Sequence, residues 1–207
     1  VKSIDEWKKE IPITMSGYEG MTPEKIINKI NDLFPDSIVT TDVGQNQLWT
    51  TQYIRMDGKR QFLTSGGLGT MGYGLPAAIG ASIGNPGNPV ICISGDGGAQ
   101  MNIQELATAH ALETPVILCI FNNTYLGNVK QMQKMFYNKR YSSTCLRYSR
   151  SCNRQCRIDG TCAGREYVPD FVKLAESYGC TGIRVENEAQ MDEAFKRAAE
   201  YEISYTY

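Results

Sequence analysis

The chain has 207 residues, 42% hydrophobic and 21% charged, with 21 Lys and Arg against 22 Asp and Glu. That is enough for one domain with a substantial core and short for two, and so even a charge balance gives no general reason to expect nucleic acid or an anionic membrane as a partner. No apolar run is long enough to cross a bilayer and no signal peptide opens the chain, so a cytoplasmic protein is the default expectation.

The first clear element is "MTPEKIINKINDLFP". Thr22 is placed to cap a helix, Pro23 suits its first turn, and Ile26, Ile27, Ile30 and Leu33 follow at helical spacing. "DSIVTTD" reads as a short strand, "QNQLWTTQYIR" as a helix and "RQFLTS" as a strand. "GGLGTMGYG" is a glycine-rich turn that opens the helix "LPAAIGASIG". The strand "PVICIS" leads through a second glycine turn to the helix "NIQELATAHAL" and the strand "PVILCIF". The pattern closes with the helices "YLGNVKQMQKMF", "VPDFVKLAESYG" and "AQMDEAFKRAAEY", a strand "CTGIRV" between the last two, and a terminal "EISYTY" that begins to read as another strand. Strands that are short continuous apolar runs alternating with helices predict an α/β fold: a doubly wound, mostly parallel sheet with helices on both faces. The start at Val1 without methionine, and the stop inside a strand-like stretch, suggest a domain excised from a longer chain.

One spacing carries chemistry. Asp96 follows the strand "VICIS", and Asn122 and Asn123 follow the next strand, "VILCIF". A right-handed crossover makes these strands parallel and brings Asp96 and Asn123 to one edge of the sheet, where such folds bind ligands. A carboxylate and an amide oxygen make a poor closed metal site. They suit Mg²⁺, which completes its oxygen shell with phosphate and water. Gly97 and Gly98 lead into a helix whose free N–H groups favour a phosphate. Mg²⁺ holding a diphosphate is the ligand this arrangement suggests.

The run Gly95-Asp96-Gly97, then 25 residues from Gly98 to Asn122, then Asn123, resembles the thiamine-diphosphate (ThDP) binding motif. "TDVGQNQLW", "LTSGGLGTMGYGLPAAIGA", "GDGGAQMNIQELATA", "YLGNVKQMQKMFYNKRYS" and "PDFVKLAESYG" are similar to the C-terminal ThDP domain of the acetolactate synthase (acetohydroxyacid synthase) catalytic subunit. The resemblance implies that residues 1–207 are one ThDP-binding domain, interrupted by a Cys- and Arg-rich insertion at 142–166. It implies Mg²⁺ held by the side chains of Asp96 and Asn123 and the backbone carbonyl of Tyr125. It places the cofactor against Val43, Gly44, Gln45, Asn46, Gly69, Met71, Gly95, Gly97, Gly98, Leu126, Gly127 and Asn128, with Asn128 and Met132 lining the substrate pocket. Pyruvate and a second 2-oxo acid are the implied substrates, condensed with loss of CO₂. The resemblance further implies that no catalytic residue lies in this chain. The activating glutamate belongs to an N-terminal domain of a second subunit and FAD to a middle domain, so the parent is a homodimer or larger, with or without a small regulatory subunit, and this portion alone is inactive. Three positions depart from the family: Asn46 stands where His is usual, Asn128 where Met is usual and Met132 where Trp is usual.

Other readings stay open beside this one: a different ThDP-dependent 2-oxo-acid decarboxylase or lyase, or a stand-alone cofactor module of a split enzyme. Gly67, Gly69 and Gly72 also form a G-x-G-x-x-G, the fingerprint of dinucleotide-binding folds, but that reading leaves Asn122, Asn123 and the second glycine turn unexplained. His110, the only histidine, and Glu105 fall within a helix and read as structural or surface residues. Cys92, Cys119 and Cys180 read as small buried residues. Cys145, Cys152, Cys156 and Cys162, spaced C-x6-C-x3-C-x5-C, fit zinc, an iron–sulfur cluster, disulfides or free thiols; free thiols in a loop are the leading reading.

Overall fold

A computed structural model describes residues 2–147 and 169–203. Helix α1 (Lys2–Glu10) is followed by α2 (Pro23–Leu33), β1 (Ile38–Thr41), α3 (Gln45–Tyr53), β2 (Gln61–Thr64), α4 (Gly74–Gly84) and β3 (Val90–Gly95). Then come the single turn α5 (Asp96–Ala99), a 3₁₀ turn at Ile103–Glu105, α6 (Leu106–Ala111), β4 (Ile117–Phe121), α7 (Gly127–Phe136), α8 (Phe171–Ser177) and α9 (Glu188–Ile203). The strands form one all-parallel sheet in the order β2-β1-β3-β4. The expected fold class is therefore the observed one.

Strand alternation divides the core into two faces. Val39, Ile91 and Ile93 point to one side, where Ile27, Ile30 and Phe34 of the α2 region and Met191 and Phe195 of α9 cover them, with Trp49 and Tyr53 of α3 alongside. Ile38, Val90 and Cys92 point to the other side, against Ala78 and Ala81 of α4. A third cluster joins α4 to α6 and α8 through Leu75, Ile79, Leu106, Ala109 and Leu174. Burial pushes the Cys92 and Cys119 thiols up to about 12, so both are inert packing groups, as the sequence suggested.

Local rules account for the best-defined helix. Thr22 Oγ1 accepts the Lys25 N–H at 3.3 Å, Pro23 occupies the first turn, and Ile27 and Ile30 are wholly buried. Lys25 and Lys29 on its outer side reach Glu188 and Asp192 of α9 at 2.6 and 2.7 Å.

Three expectations are corrected and one helix is new. Helix α1 was not anticipated; its apolar residues Ile4 and Trp7 are exposed, so no core periodicity announced it. The expected helix at 102–112 is split into the 3₁₀ turn and the short α6. The expected strand "CTGIRV" at 180–185 forms no ladder with β4. Its residues instead line one wall of a cavity of about 750 Å³ whose other wall is β4, so the apolar pattern packs as a lining segment. At the C-terminus α9 runs on through Glu202 to Ile203, so the strand reading of "EISYTY" fails at its first two residues, and 204–207 lie outside the described residues. Of the four clustered cysteines Cys145 is free, and Cys152, Cys156 and Cys162 lie outside the described residues. Among the described residues no helix is long and apolar enough to cross a membrane.

Ile30→Ala should destabilise the protein by about 2–5 kcal/mol in denaturant unfolding, because it empties a fully buried site between α2 and the sheet. Lys29→Met, which removes a half-exposed ion pair, should cost less than about 1 kcal/mol in the same assay. Equal costs would show that the α2 face does not anchor the core.

Candidate functional site

Parallel pairing sends the chain out of all four strands at the same edge, and the segments leaving them build the site. β3 and β4 pair with Gly95 opposite Phe121, so Asp96 and the two asparagines start one and two residues beyond a shared level. This is the meeting of Asp96 and Asn123 that the spacing predicted.

Asp96 is buried, 2% exposed. Its Oδ1 accepts the Gly97 N–H at 3.0 Å, and its Oδ2 accepts the Thr124 N–H at 2.6 Å, which ties the β3 loop to the β4 loop. To point that N–H at the carboxylate, Thr124 takes φ of 64°, a conformation costly for a β-branched residue. Burial raises the Asp96 pKa, and the backbone hydrogen bonds only partly oppose it. No lysine or arginine among the described residues pairs with it. Asn123 Oδ1 accepts the Tyr125 N–H at 3.0 Å and so holds the same loop in its turn.

A short ribbon braces this loop from outside. Leu126 N–H donates to Thr144 O at 2.8 Å, Leu146 N–H donates to Thr124 O at 3.0 Å, and Tyr125 bridges Cys145 in antiparallel sense. The stretch expected as an insertion therefore begins inside the site; its residues 148–166 lie outside the described residues. The Tyr125 ring carries the Lys130 ammonium 3.2 Å from its centroid, and its hydroxyl accepts from Arg147 Nη2 at 2.8 Å.

The β1 loop supplies the next wall. Gly44 has φ of 137° at the start of α3, where a side chain would be strained. Gln45 Nε2 donates to Gln131 Oε1 at 2.9 Å, and Gln45 Oε1 lies so near Gly127 that a Cβ there would overlap it. Gln45 thus links the β1 loop to α7. The Asn46 side chain, expected at the diphosphate, is 3% exposed and donates from Nδ2 to Asp42 O at 2.8 Å and to Ile93 O at 3.0 Å, bracing β1 against β3. Val43 faces Gly69, and Met71, Leu126 and Leu146 converge on Gly97, where a Cβ would meet Leu126 at 2.7 Å. On α7, Met132 is 39% exposed and Asn128 Oδ1 is buried without a partner.

Sequence reasoning missed Asp42, Thr124 and Gln131. Asp42 is 1% exposed and accepts the N–H groups of Val43, Gly72 and Gly74 at 2.8 to 3.1 Å. No signal in the sequence marked Asp42 out, because its partners beyond Val43 are backbone N–H groups 30 and 32 residues away. This arrangement also counts against the dinucleotide reading of Gly67, Gly69 and Gly72: the Gly69 N–H, on the backbone that would approach a pyrophosphate, is turned to Ser65 O at 3.1 Å. His110 lies in the last turn of α6, on the segment that runs back from the site, and packs against Gly179. Glu105 accepts from the Thr108 hydroxyl at 2.7 Å. His110 is exposed and Glu105 half-buried.

Residues 42–205 match the family model described as "Thiamine pyrophosphate enzyme, C-terminal TPP binding domain". The chain belongs to this family. It is 42% identical over 205 residues to a probable acetolactate synthase large subunit of Methanococcus aeolicus, covering 96% of this chain and 31% of that protein. It is 41% identical over 186 residues to the acetolactate synthase large subunit of Parasynechococcus marenigrum, covering 89% and 27%, and 40% identical over 195 residues to that of Cyanidium caldarium, covering 94% and 30%. The chain thus spans about a third of the length of these curated relatives. The TPP-binding domain accordingly presents its glycine turns, Asp96 and the asparagine pair on one edge of its sheet.

Burial holds the Asp96 proton more tightly in the folded chain than in the unfolded one. The residue therefore favours folding at acid pH, and that contribution is lost as pH rises through its folded pKa. Asp96→Asn should raise the thermal midpoint of the ligand-free protein at neutral pH by a few degrees, where about 2–4 °C corresponds to about 1 kcal/mol for a domain of this size. The gain should shrink on acidification. A fall in the midpoint at neutral pH would show that the two backbone hydrogen bonds outweigh the burial of charge.

Proposed function

We propose that this domain holds ThDP through Mg²⁺ and forms part of an acetolactate-synthase-like enzyme that condenses pyruvate with a second 2-oxo acid. The observation that carries the reading is Asp96: a buried carboxylate with a raised pKa and no cationic side chain beside it, at the sheet edge where Asn123 offers an amide oxygen. Hard oxygen donors with room for further oxygen ligands fit Mg²⁺ and a diphosphate. Asp96 and Asn123 would hold the metal with their side chains and Tyr125 with its carbonyl. The backbone of Val43, Gly44 and Gln45, with Gly97 and Gly98, would line the diphosphate, and Asn46 would act by fixing the loop that carries it. Gly95 ends β3 beneath this loop. Gly69 and Met71 would support the pyrimidine end, and Leu126, Gly127 and Asn128 the thiazolium.

When bound, ThDP supplies an electron sink for the electrons released as CO₂ leaves a 2-oxo acid. The role of this chain is to orient and to exclude water. Met71, Leu126 and Leu146 form an apolar layer over Gly97, which strengthens every charge interaction beneath it. Asn128 and Met132, on α7, would line the place of the second substrate. The acid that activates the cofactor, FAD and the partner subunits belong in this reading to the remaining two thirds of the protein.

Asp96→Ala in the full-length protein should abolish Mg²⁺-dependent ThDP binding in calorimetry; unchanged affinity would remove the metal assignment. Met132→Trp tests the acceptor pocket. A rigid flat wall in place of a flexible side chain should favour 2-oxobutyrate over pyruvate, and a methylene-sized discrimination is worth about 1–3 kcal/mol, roughly tenfold to a hundredfold in product ratio. The ratio is read with both acids in competition, and no movement toward the longer product would take α7 off the acceptor site.

A further inference from the structure

We propose that Asp42 is the positioning residue of the cofactor site, holding the glycine turn that carries Gly69 and Met71 in its ligand-ready shape before any ligand arrives; this rests on the ThDP reading above. The turn at 66–73 has little structure of its own. Gly69 and Gly72 have φ of 62° and 90°, and the hydrogen bonds within it are short-range, such as Gly69 N–H to Ser65 O at 3.1 Å and Thr70 N–H to Ser65 Oγ at 3.0 Å. It is fixed to the sheet mainly from outside. Asp42 Oδ2 accepts both the Gly72 and Gly74 N–H groups, at 2.9 and 3.0 Å, while Oδ1 accepts Gly72 at 3.1 Å and Val43 at 2.8 Å. Asn102 Nδ2 donates to Gly72 O at 2.9 Å and Thr40 Oγ1 to Gly74 O at 3.0 Å, closing the other side.

Asp42 explains why separate parts of the motif are glycine, through its carboxylate at Gly98 and through its own backbone at Gly74. A Cβ on Gly98 would lie 2.1 Å from Asp42 Oδ1, and one on Gly74 would lie 2.7 Å from the Asp42 amide nitrogen. One buried anion therefore touches the β1 loop through Val43, the glycine turn through Gly72 and Gly74, and the β3 loop through Gly98. These are the three segments that must keep register if Met71 is to sit over Gly97, whose Cβ position lies 3.6 Å from Met71 Cε. Charge-assisted hydrogen bonds to backbone are the strong kind, and groups fixed in advance need no reorganisation on binding. None of the Asp42 hydrogen bonds among the described residues goes to Asp96, Asn123 or Tyr125, so it acts through the turn.

The test uses the full-length protein. Asp42→Asn keeps the shape of the side chain but sets an NH₂ against a backbone N–H. It should weaken ThDP binding at saturating Mg²⁺ by about tenfold or more, measured by calorimetry well below the melting temperature so that only folded protein is read. A lower melting temperature with unchanged affinity would make Asp42 a stability residue only and overturn the proposal. Gly98→Ala should reproduce the loss by pushing the carboxylate away, and adding it to Asp42→Ala should cost little further, because the clash has gone; full additivity would overturn the proposal. Hydrogen exchange on the wild type covers the case in which the variants do not fold. Peptides over 69–75 should be equally protected with and without Mg²⁺–ThDP, while those over 95–99 and 122–128 gain protection. Protection at 69–75 that appears only with the cofactor would overturn the positioning role. No heat and no change in any peptide would instead overturn the ThDP reading, and this proposal with it.

Discussion

Parallel pairing of β1 with β3 and of β3 with β4 decides where every polar group of the site stands. A parallel ladder cannot be closed by tight hairpins, so each strand must be followed by a crossover that returns to the opposite end, and the segments leaving the strands gather on one edge. Asp42, Ser65, Asp96 and Asn122 are the first residues past their strands, and all four strands leave in the same direction. The faces of the sheet are sealed by α2, α3 and α9 on one side and by α4, α6 and α8 on the other. Ligand chemistry is thereby confined to the edge, where backbone N–H groups and short polar side chains are the available tools.

Two buried aspartates on that edge show how environment divides one side chain into two tasks. Asp42 accepts three backbone N–H groups and is in effect a component of the fold. Asp96 accepts two, and desolvation still raises its pKa. A carboxylate buried short of compensation is a poor stabiliser and a good partner for a cation. Thr124, strained to φ of 64° so that its amide can reach Asp96, belongs to the same trade: local cost is accepted to keep the acid aimed. The antiparallel ribbon through Cys145 supplies the rigidity that keeps such a turn from relaxing.

What could be read from sequence follows from range. Elements set by local periodicity and capping were legible: Thr22 and Pro23 announced α2, and the apolar runs announced β1, β3 and β4. The convergence of Asp96 and Asn123 was legible because handedness turns sequence order into spatial order. The run at 180–185 misled because an apolar, β-branched stretch packs equally well as a strand or as a cavity lining, and only the partner edge distinguishes them. Helix α1 was missed because it has exposed apolar residues instead of a buried stripe. Asp42 was missed for a different reason: its partners are backbone amides 30 and 32 residues away, and backbone groups leave no trace in composition. The same limit applied to Asn46, whose amide donates to two backbone carbonyls that composition does not reveal.

The outer wall of the site is exposed. Leu68 at the tip of the glycine turn is 94% exposed, and Met132, Met135 and Phe136 of α7 are also open. Apolar groups scattered singly on a surface need no explanation, but here they border the residues that the site depends on. Asn128 adds a buried carbonyl oxygen on the same helix that has no partner among the described residues. A buried acceptor without a donor costs about 1–3 kcal/mol, and a ligand or protein group that donates to it recovers that cost. This domain covers about a third of its relatives' length. In the function proposed above, its sheet edge would supply the floor, the acid for the metal and the glycine turn, and α7 would supply an apolar flank carrying one open acceptor.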